Sequence, residues 1–143
     1  MARIARETVI NASPDKVFEY TADMPRHSEW AQHELQVNQT SSGAVGVGAT
    51  FASVAHQFGT QRETQTVIDY TSGKRFAFDA LGSIGTVRHA FDLVASGGGT
   101  KVTKSMEILK PSMMARVMGP MIRSQTRKGL AVDLERIKAK LEA

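Results

Sequence analysis

Apolar and polar residues follow two different periods along this chain. Between residues 33 and 109, runs rich in Val, Phe, Thr and Ile are separated by short segments rich in Gly and Ser, a pattern typical of strands joined by tight turns. A weaker alternation at 2–10 predicts one further strand. Because the turns are short, neighbouring strands should be antiparallel. The six later strands are predicted at 33–39, 49–57, 61–70, 75–80, 86–95 and 100–109.

Two short helices are predicted after the first strand. Ser13 is a favourable N-cap and Pro14 suits the first helical turn, so a helix is predicted at 15–22. A second short helix is predicted at 25–30, and it carries Trp30, the only tryptophan.

The segment 111–143 is predicted to form one long C-terminal helix. Its apolar stripe recurs at spacings of three and four residues, with large residues near the C-terminus and mostly small residues before them. Such a helix can lie on a sheet without filling the space beneath its upper half, so we expect a ligand cavity there. The stripe consists of Ala115, Gly119, Ile122, Thr126, Leu130, Leu134, Ile137 and Leu141.

These elements predict an α+β fold, because helices occur only at the two ends of a run of antiparallel strands. The long helix is the only element that could cover the sheet, so the seven-stranded sheet should curl around it. We expect a single domain over residues 1–143.

The composition excludes several kinds of chemistry and location for this chain. Apolar residues make up 41% and charged residues 22% of the 143 residues, which are ordinary values for a globular protein. The chain has no cysteine, which excludes disulfides, thiolate catalysis and Cys-ligated metals. It has neither the apolar run of a signal peptide nor the ~20 apolar residues that cross a bilayer, so a cytoplasmic location is expected.

The net charge of +4 is concentrated in the C-terminal helix. This basic segment could contact an anionic membrane surface, or it could be a solvated helix face. Nucleic acid is not expected as a partner, because no aromatic residues are interleaved with the cations. The cations are Arg116, Arg123, Arg127 and Lys128.

Several stretches together resemble a known family. Residues 10–20 (INASPDKVFEY), then Ala22-Asp23 and Trp30, resemble the opening signature of the START-like (SRPBCC) superfamily, and more narrowly its polyketide cyclase/dehydrase-like group. The resemblance implies a helix-grip fold around an apolar cavity, with the first strand paired to the last. Members bind lipids, sterols, quinones or polyketides, and some are cyclases. Further similar stretches are 45–51 (VGVGATF), 91–93 (FDL), 97–103 (GGGTKVT) and the terminal Leu-x-x-x-Leu-x-x-Ile-Lys helix.

The turn at 96–99 predicts a register for the last two strands. If it centres between its middle two glycines, Leu93 pairs with Val102, Phe91 with Lys104 and His89 with Met106. This face is mostly apolar and should be buried, and Phe76 and Phe78 should extend it on the next strand.

Three polar groups on this face are candidate catalytic residues. His89 and Lys104 project from the hairpin, and Arg6 joins them if the first strand pairs with the last. Each buried cation would need a partner, which Glu63, Asp79 or an anionic or carbonyl-bearing ligand could supply. The family usually has an aromatic residue at the position of His89.

Structural roles remain open for the same residues. His89 could be a hydrogen-bonded core histidine, Lys104 could reach the cavity mouth, and Arg6 could be exposed at the sheet end. Trp30 could line the cavity or pin its helix to the sheet, and the methionines suit either a core or an adaptable pocket. The predicted ligand contacts are Trp30, Phe51, Phe76, Phe78, His89, Phe91, Met106, Met114, Met118, Met121 and Ile122.

No metal site and no cofactor are expected. The four histidines, at 27, 33, 56 and 89, lack the spacing of a metal site, and no phosphate-binding or dinucleotide motif is present. Three functions remain open. The protein could be a binding module for a small hydrophobic or aromatic molecule, or a membrane-associated factor that delivers a lipid or a quinone. It could also be a cyclase or dehydratase in which His89 is the general acid/base and Lys104 or Arg6 stabilises an enolate. The protein is expected to be a monomer or a homodimer.

Overall fold

Seven strands form one antiparallel sheet in the order β1-β7-β6-β5-β4-β3-β2. The computed structural model describes residues 3–31, 34–56 and 59–143. The strands are β1 (Ile4–Ile10), β2 (Glu34–Gln39), β3 (Thr50–His56), β4 (Thr60–Thr71), β5 (Arg75–Gly82), β6 (Gly85–Ser96) and β7 (Gly99–Pro111). The helical segments are α1 (Pro14–Thr21), a 3₁₀ helix (Met24–Glu29), α2 (Met113–Val117) and α3 (Gly119–Glu142). This confirms the predicted α+β helix-grip arrangement.

The pairing of β6 with β7 follows the predicted register. Leu93 lies opposite Val102, Phe91 opposite Lys104 and His89 opposite Met106. The hairpin turn uses two glycines with positive φ, as a tight two-residue turn requires. The predicted strand ends at residues 2, 33 and 57 lie outside the described residues.

The two short helices form where the sequence predicts them. The Ser13 hydroxyl accepts a hydrogen bond from the Lys16 backbone N–H at 3.3 Å, which caps α1. Val17 and Phe18 are buried on one face of α1. The second segment is a 3₁₀ helix rather than an α-helix, and Trp30 directly follows it.

The prediction of one unbroken helix over 111–143 is wrong at its N-terminal end. Strand β7 continues through Pro111, and α2 is capped by the Ser112 hydroxyl, which accepts from the Ala115 backbone N–H at 3.2 Å. The helix is then interrupted at Met118, and α3 begins at Gly119-Pro120. Glycine is a poor helix former and proline lacks the N–H that would continue the ladder, so the break falls there.

Helix α3 packs on the sheet beside β1 and β7. Leu130, Leu134 and Ile137 are buried in the face that meets the sheet, as the apolar stripe predicts. None of the helices in the described ranges is long and apolar enough to cross a membrane.

Candidate functional site

Three neighbouring strands place aromatic and polar side chains in rows across the inner face of the sheet. Directly paired residues of antiparallel strands point to the same face. Each row therefore presents a continuous surface toward α3 and the 3₁₀ helix. From β5 to β7, the first row is Phe76, Phe91 and Lys104, and the second is Phe78, His89 and Met106.

His27 joins this surface from the 3₁₀ helix. Its ring centroid lies 4.6 Å from that of Trp30 and 6.0 Å from that of Phe78. Its Nε2 lies 2.8 Å from the carbonyl oxygen of Thr21, so Nε2 carries the proton and donates. His27 is therefore a hydrogen-bonded core histidine that holds the 3₁₀ helix against the aromatic rows.

His89 stacks on Phe78, with ring centroids 4.8 Å apart and ring planes 11° from parallel. Burial is the largest cause that lowers the pKa of His89 to about 3, and the charge of Lys104 and repulsion from His27 in its protonated form contribute to the same value. Burial also lowers the pKa of His27 to about 4, with the hydrogen bond to Thr21 opposing that change. Both imidazoles are therefore neutral near neutral pH.

Lys104 is a buried cation with a protein counterion. Its Nζ lies 3.0 Å from Oδ2 of Asp133 on α3. The same Nζ lies 5.1 Å from the Trp30 ring centroid and 5.6 Å from that of Phe91, within cation–π range. The ammonium thus joins α3 to the aromatic surface.

Neither carboxylate that we predicted as a partner fills that role. Asp79 pairs with Arg88 on the next strand, at 2.8 Å between Oδ1 and Nε. The neighbours of Asp79, Phe78 and Ala80, point to the inner face, so Asp79 points to the other one. The partner comes from the helix instead, because Asp133 occupies an inward position between Leu130 and Leu134.

Two buried polar atoms near this ion pair lack a hydrogen bond. Within the described ranges, no partner reaches Oδ1 of Asp133 or Nε1 of Trp30. An unpaired buried polar atom costs about 1–3 kcal/mol. Both residues contact Lys104, so an acceptor and a donor are left unused in one region of the interior.

A second polar group lies on the inner face near the other end of the sheet. The Gln65 side-chain amide donates to the Ser53 hydroxyl at 2.6 Å. Glu63 lies directly opposite Ser53 across β3 and β4. Burial raises the pKa of Glu63, and a hydrogen bond from Gln65 opposes that change. The carboxyl is therefore protonated more readily than an exposed glutamate.

A surface recess of about 470 Å³ lies away from this region, where the 3₁₀ helix meets β2 and β3. The aromatic rows do not contribute to its walls, so it is not the predicted cavity. It is lined by Pro25, Ser28, Glu34, Leu35, Gln36, Val37, Asn38, Val54 and His56.

Comparison with known proteins places the chain in a family. A family model described as polyketide cyclase / dehydrase and lipid transport matches residues 1–142. The chain belongs to this family. Its membership confirms the resemblance to the START-like superfamily. A search of curated proteins finds no match.

Solved structures of other proteins share the fold of this family member. Protein CV1439 from Chromobacterium violaceum is 15% identical with a TM-score of 0.78, over 100% of this chain and 99% of that one. TTHA0849 from Thermus thermophilus is 14% identical with a TM-score of 0.79, over 98% and 97%. The Aha1 dimer from Colwellia psychrerythraea is 19% identical with a TM-score of 0.70, over 99% and 97%. At these identities the similarity establishes the fold alone.

The predicted ligand contacts of this family member fall into three groups by exposure. Buried residues are Trp30, Phe51, Phe76, Phe78 and Phe91; half-buried residues are His89, Met106, Met118 and Ile122; exposed residues are Met114 and Met121. Of the catalytic candidates, Lys104 is buried beside Trp30 and Phe91, and His89 lies one row away. Arg6 lies opposite Lys104 in register, but it is exposed on the edge strand β1.

Sequence reasoning missed two residues of the site. Asp133 lies three residues after Leu130, so the periodicity of the apolar stripe could have placed it inward. His27 lies three residues before Trp30, on the same side of a 3₁₀ helix. Among the described residues, no group of three or more His, Asp or Glu side chains could hold a metal ion. His33 lies outside the described residues.

Proposed function

We propose that this protein binds a small, largely hydrophobic or aromatic molecule between the inner face of the sheet and the N-terminal half of α3. The uneven packing of α3 carries the proposal. Leu134 and Ile137 belong to the aromatic core, whereas Met118, Ile122 and Thr126 farther up the helix are only half-buried. An aromatic wall beneath incompletely packed helix residues is an arrangement that suits a ligand.

The exposure of His89 supports the same location. His89 lies on the inner face between Phe78 and Met106, and the residue is only half-buried. A half-buried residue on the inner face has surface left that a ligand could cover.

The interior favours a neutral ligand over an anion. Lys104 already has Asp133 as its counterion, so a ligand carboxylate would have to displace an aspartate or lie beside it. Trp30 Nε1 can donate to a carbonyl or hydroxyl oxygen, and Asp133 Oδ1 can accept from a hydroxyl. We therefore propose a quinone, a polyketide-like aromatic or a lipid that carries hydroxyl or carbonyl groups.

Acid–base catalysis by His89 has less support than binding. A general base works best when its pKa lies near the working pH, and the pKa of His89 is lowered to about 3. The imidazole is then a weak base and is almost never an acid at neutral pH. We propose a carrier or sensor that acts in the cytoplasm as a monomer or homodimer; delivery to a membrane would need a separate lipid-binding surface.

Native mass spectrometry of the purified protein, followed by extraction of bound molecules, tests the proposal. A panel of quinones, hydroxylated aromatics and lipids should then raise the melting temperature with at least one member. Thr126→Trp, which would fill the proposed space beneath α3, should abolish that shift, whereas Ser124→Trp on the exposed face should keep it. If no compound of the panel raises the melting temperature, or if both variants show equal shifts in melting temperature, the proposal of a ligand at this place is refuted.

A further inference from the structure

The surface of α2 and the start of α3 exposes a cluster of apolar side chains. Met113 is 78% exposed and Val117 is 75% exposed, while Met114 and Met121 are each 45% exposed. Single exposed apolar residues are ordinary, but four within residues 113–121 form a patch that water solvates poorly.

The same segment carries the excess positive charge of the protein. Between Glu107 and Asp133 there are five cationic side chains and no acidic one. Because the net charge of the whole chain is +4, the rest of the protein is nearly neutral. All five are exposed, and none forms an ion pair with a described residue. They are Lys110, Arg116, Arg123, Arg127 and Lys128.

We propose that α2 and the N-terminal half of α3 form a docking surface for a lipid bilayer that contains anionic headgroups. The cations meet the headgroup phosphates, and Met113 and Val117 enter the boundary between headgroups and acyl chains. Amphipathic segments that bind at a membrane interface use their charged and apolar side chains in the same way. A nucleic acid backbone would use the cations but would leave the apolar side chains in water, so the bilayer is the better match.

Vesicle co-sedimentation tests the electrostatic half of this proposal. Wild-type protein should sediment with vesicles of phosphatidylcholine and phosphatidylglycerol, less with phosphatidylcholine alone, and less as salt is added. The double variant Arg123→Gln, Arg127→Gln should partition on the order of 30-fold more weakly, since each basic residue near an anionic surface contributes about 1 kcal/mol. The matched control is Lys16→Gln with Arg62→Gln, two exposed cations on other elements, which should keep nearly the wild-type partition.

A second pair of variants tests the apolar half. Met113→Asp with Val117→Asp should lower partitioning at least tenfold. Val47→Asp with Val94→Asp changes the net charge equally at valines that are 70% and 63% exposed elsewhere, so it should have a much smaller effect. All these positions are exposed, and unchanged melting temperatures will verify the folds. No sedimentation with anionic vesicles, or equal losses in variants and controls, overturns the proposal. The substituted side chains are exposed and lie outside the proposed internal site, so a loss of partitioning confined to these variants reports on the surface and not on that site.

Discussion

Removing the carboxylate of Asp133 should destabilise this protein far more than removing a surface carboxylate. The side chains of Lys104 and Asp133 are 6% and 13% exposed, and Nζ lies 3.0 Å from Oδ2. Asp133→Asn keeps the shape and removes the charge, so a buried ammonium loses its counterion. Breaking a buried pair in this way costs about 3–5 kcal/mol, a large part of the about 5–15 kcal/mol that stabilises a typical domain.

A surface pair provides the matched control. Lys101 and Glu7 lie 3.3 Å apart, with side chains that are 48% and 60% exposed. Water and salt screen such a pair, so Glu7→Gln should lower the free energy of unfolding by less than about 1 kcal/mol.

Urea denaturation at neutral pH, followed by far-ultraviolet circular dichroism, measures the free energy of unfolding of both variants. An unchanged m value shows that the variants and the wild type unfold in comparable transitions. The double variant Lys104→Met, Asp133→Leu removes both charges and should lie closer to wild type than Asp133→Asn does, because no buried charge remains unpaired. The reasoning fails if Asp133→Asn lowers the free energy of unfolding no more than Glu7→Gln does. It also fails if the loss in the double variant equals the sum of the losses in Lys104→Met and Asp133→Leu measured singly.

Three further predictions concern the histidines and one turn. Lys104→Met should raise the pKa of both His27 and His89 in an NMR titration, because the lysine charge helps to lower them, but neither should reach 6.5 since burial is the main cause. Below pH 6.5 the unfolded chain binds a proton at His89 that the folded chain rejects, so stability is lost as pH falls toward the folded pKa of about 3. Between pH 6.5 and about 4, the wild type should therefore lose roughly 1.4 kcal/mol per pH unit more than His89→Gln in urea titrations, and equal slopes would refute this. Gly85→Ala should abolish stable folding, because Gly85 has φ of 109° and a Cβ would overlap a carbonyl of the facing strand; Gly97→Ala, where φ is 54° and the space is open, should lower the melting temperature only modestly.

Local signals made much of the fold predictable. The turn at 96–99 and the alternation on either side of it determine which face each residue of β6 and β7 joins, so His89 and Lys104 could be assigned to the inner face from sequence. The break in the C-terminal helix also had a local signal in Gly119-Pro120. The apolar methionines on either side continue the helical period, so the pattern predicted an unbroken helix. Hydrophobic periodicity alone does not register a missing backbone N–H.

The partner of Lys104 could not be read from local sequence, because Asp133 meets it across 29 residues of chain. The site residue Arg6 shows the opposite difficulty. Its register places it opposite Lys104, yet a residue on an edge strand can share the inner face and still reach water. The alternation along a strand predicts which face of the sheet a side chain points to, whereas its burial depends on what packs above that face.

The charges inside this protein differ from those on its surface, and this difference separates its two proposed activities. Inside, the Lys104 charge is balanced by Asp133 and both histidines are neutral, so ligand recognition should depend on shape and hydrogen bonds. Outside, the five cations of α2, α3 and the end of β7 are unpaired among the described residues, so lipid docking should depend on their charge. Mobile ions screen exposed charges much more than buried ones. Raising the salt concentration should therefore release the protein from anionic vesicles while a bound ligand is retained, and a ligand lost in parallel with the vesicles would show that one surface serves both activities.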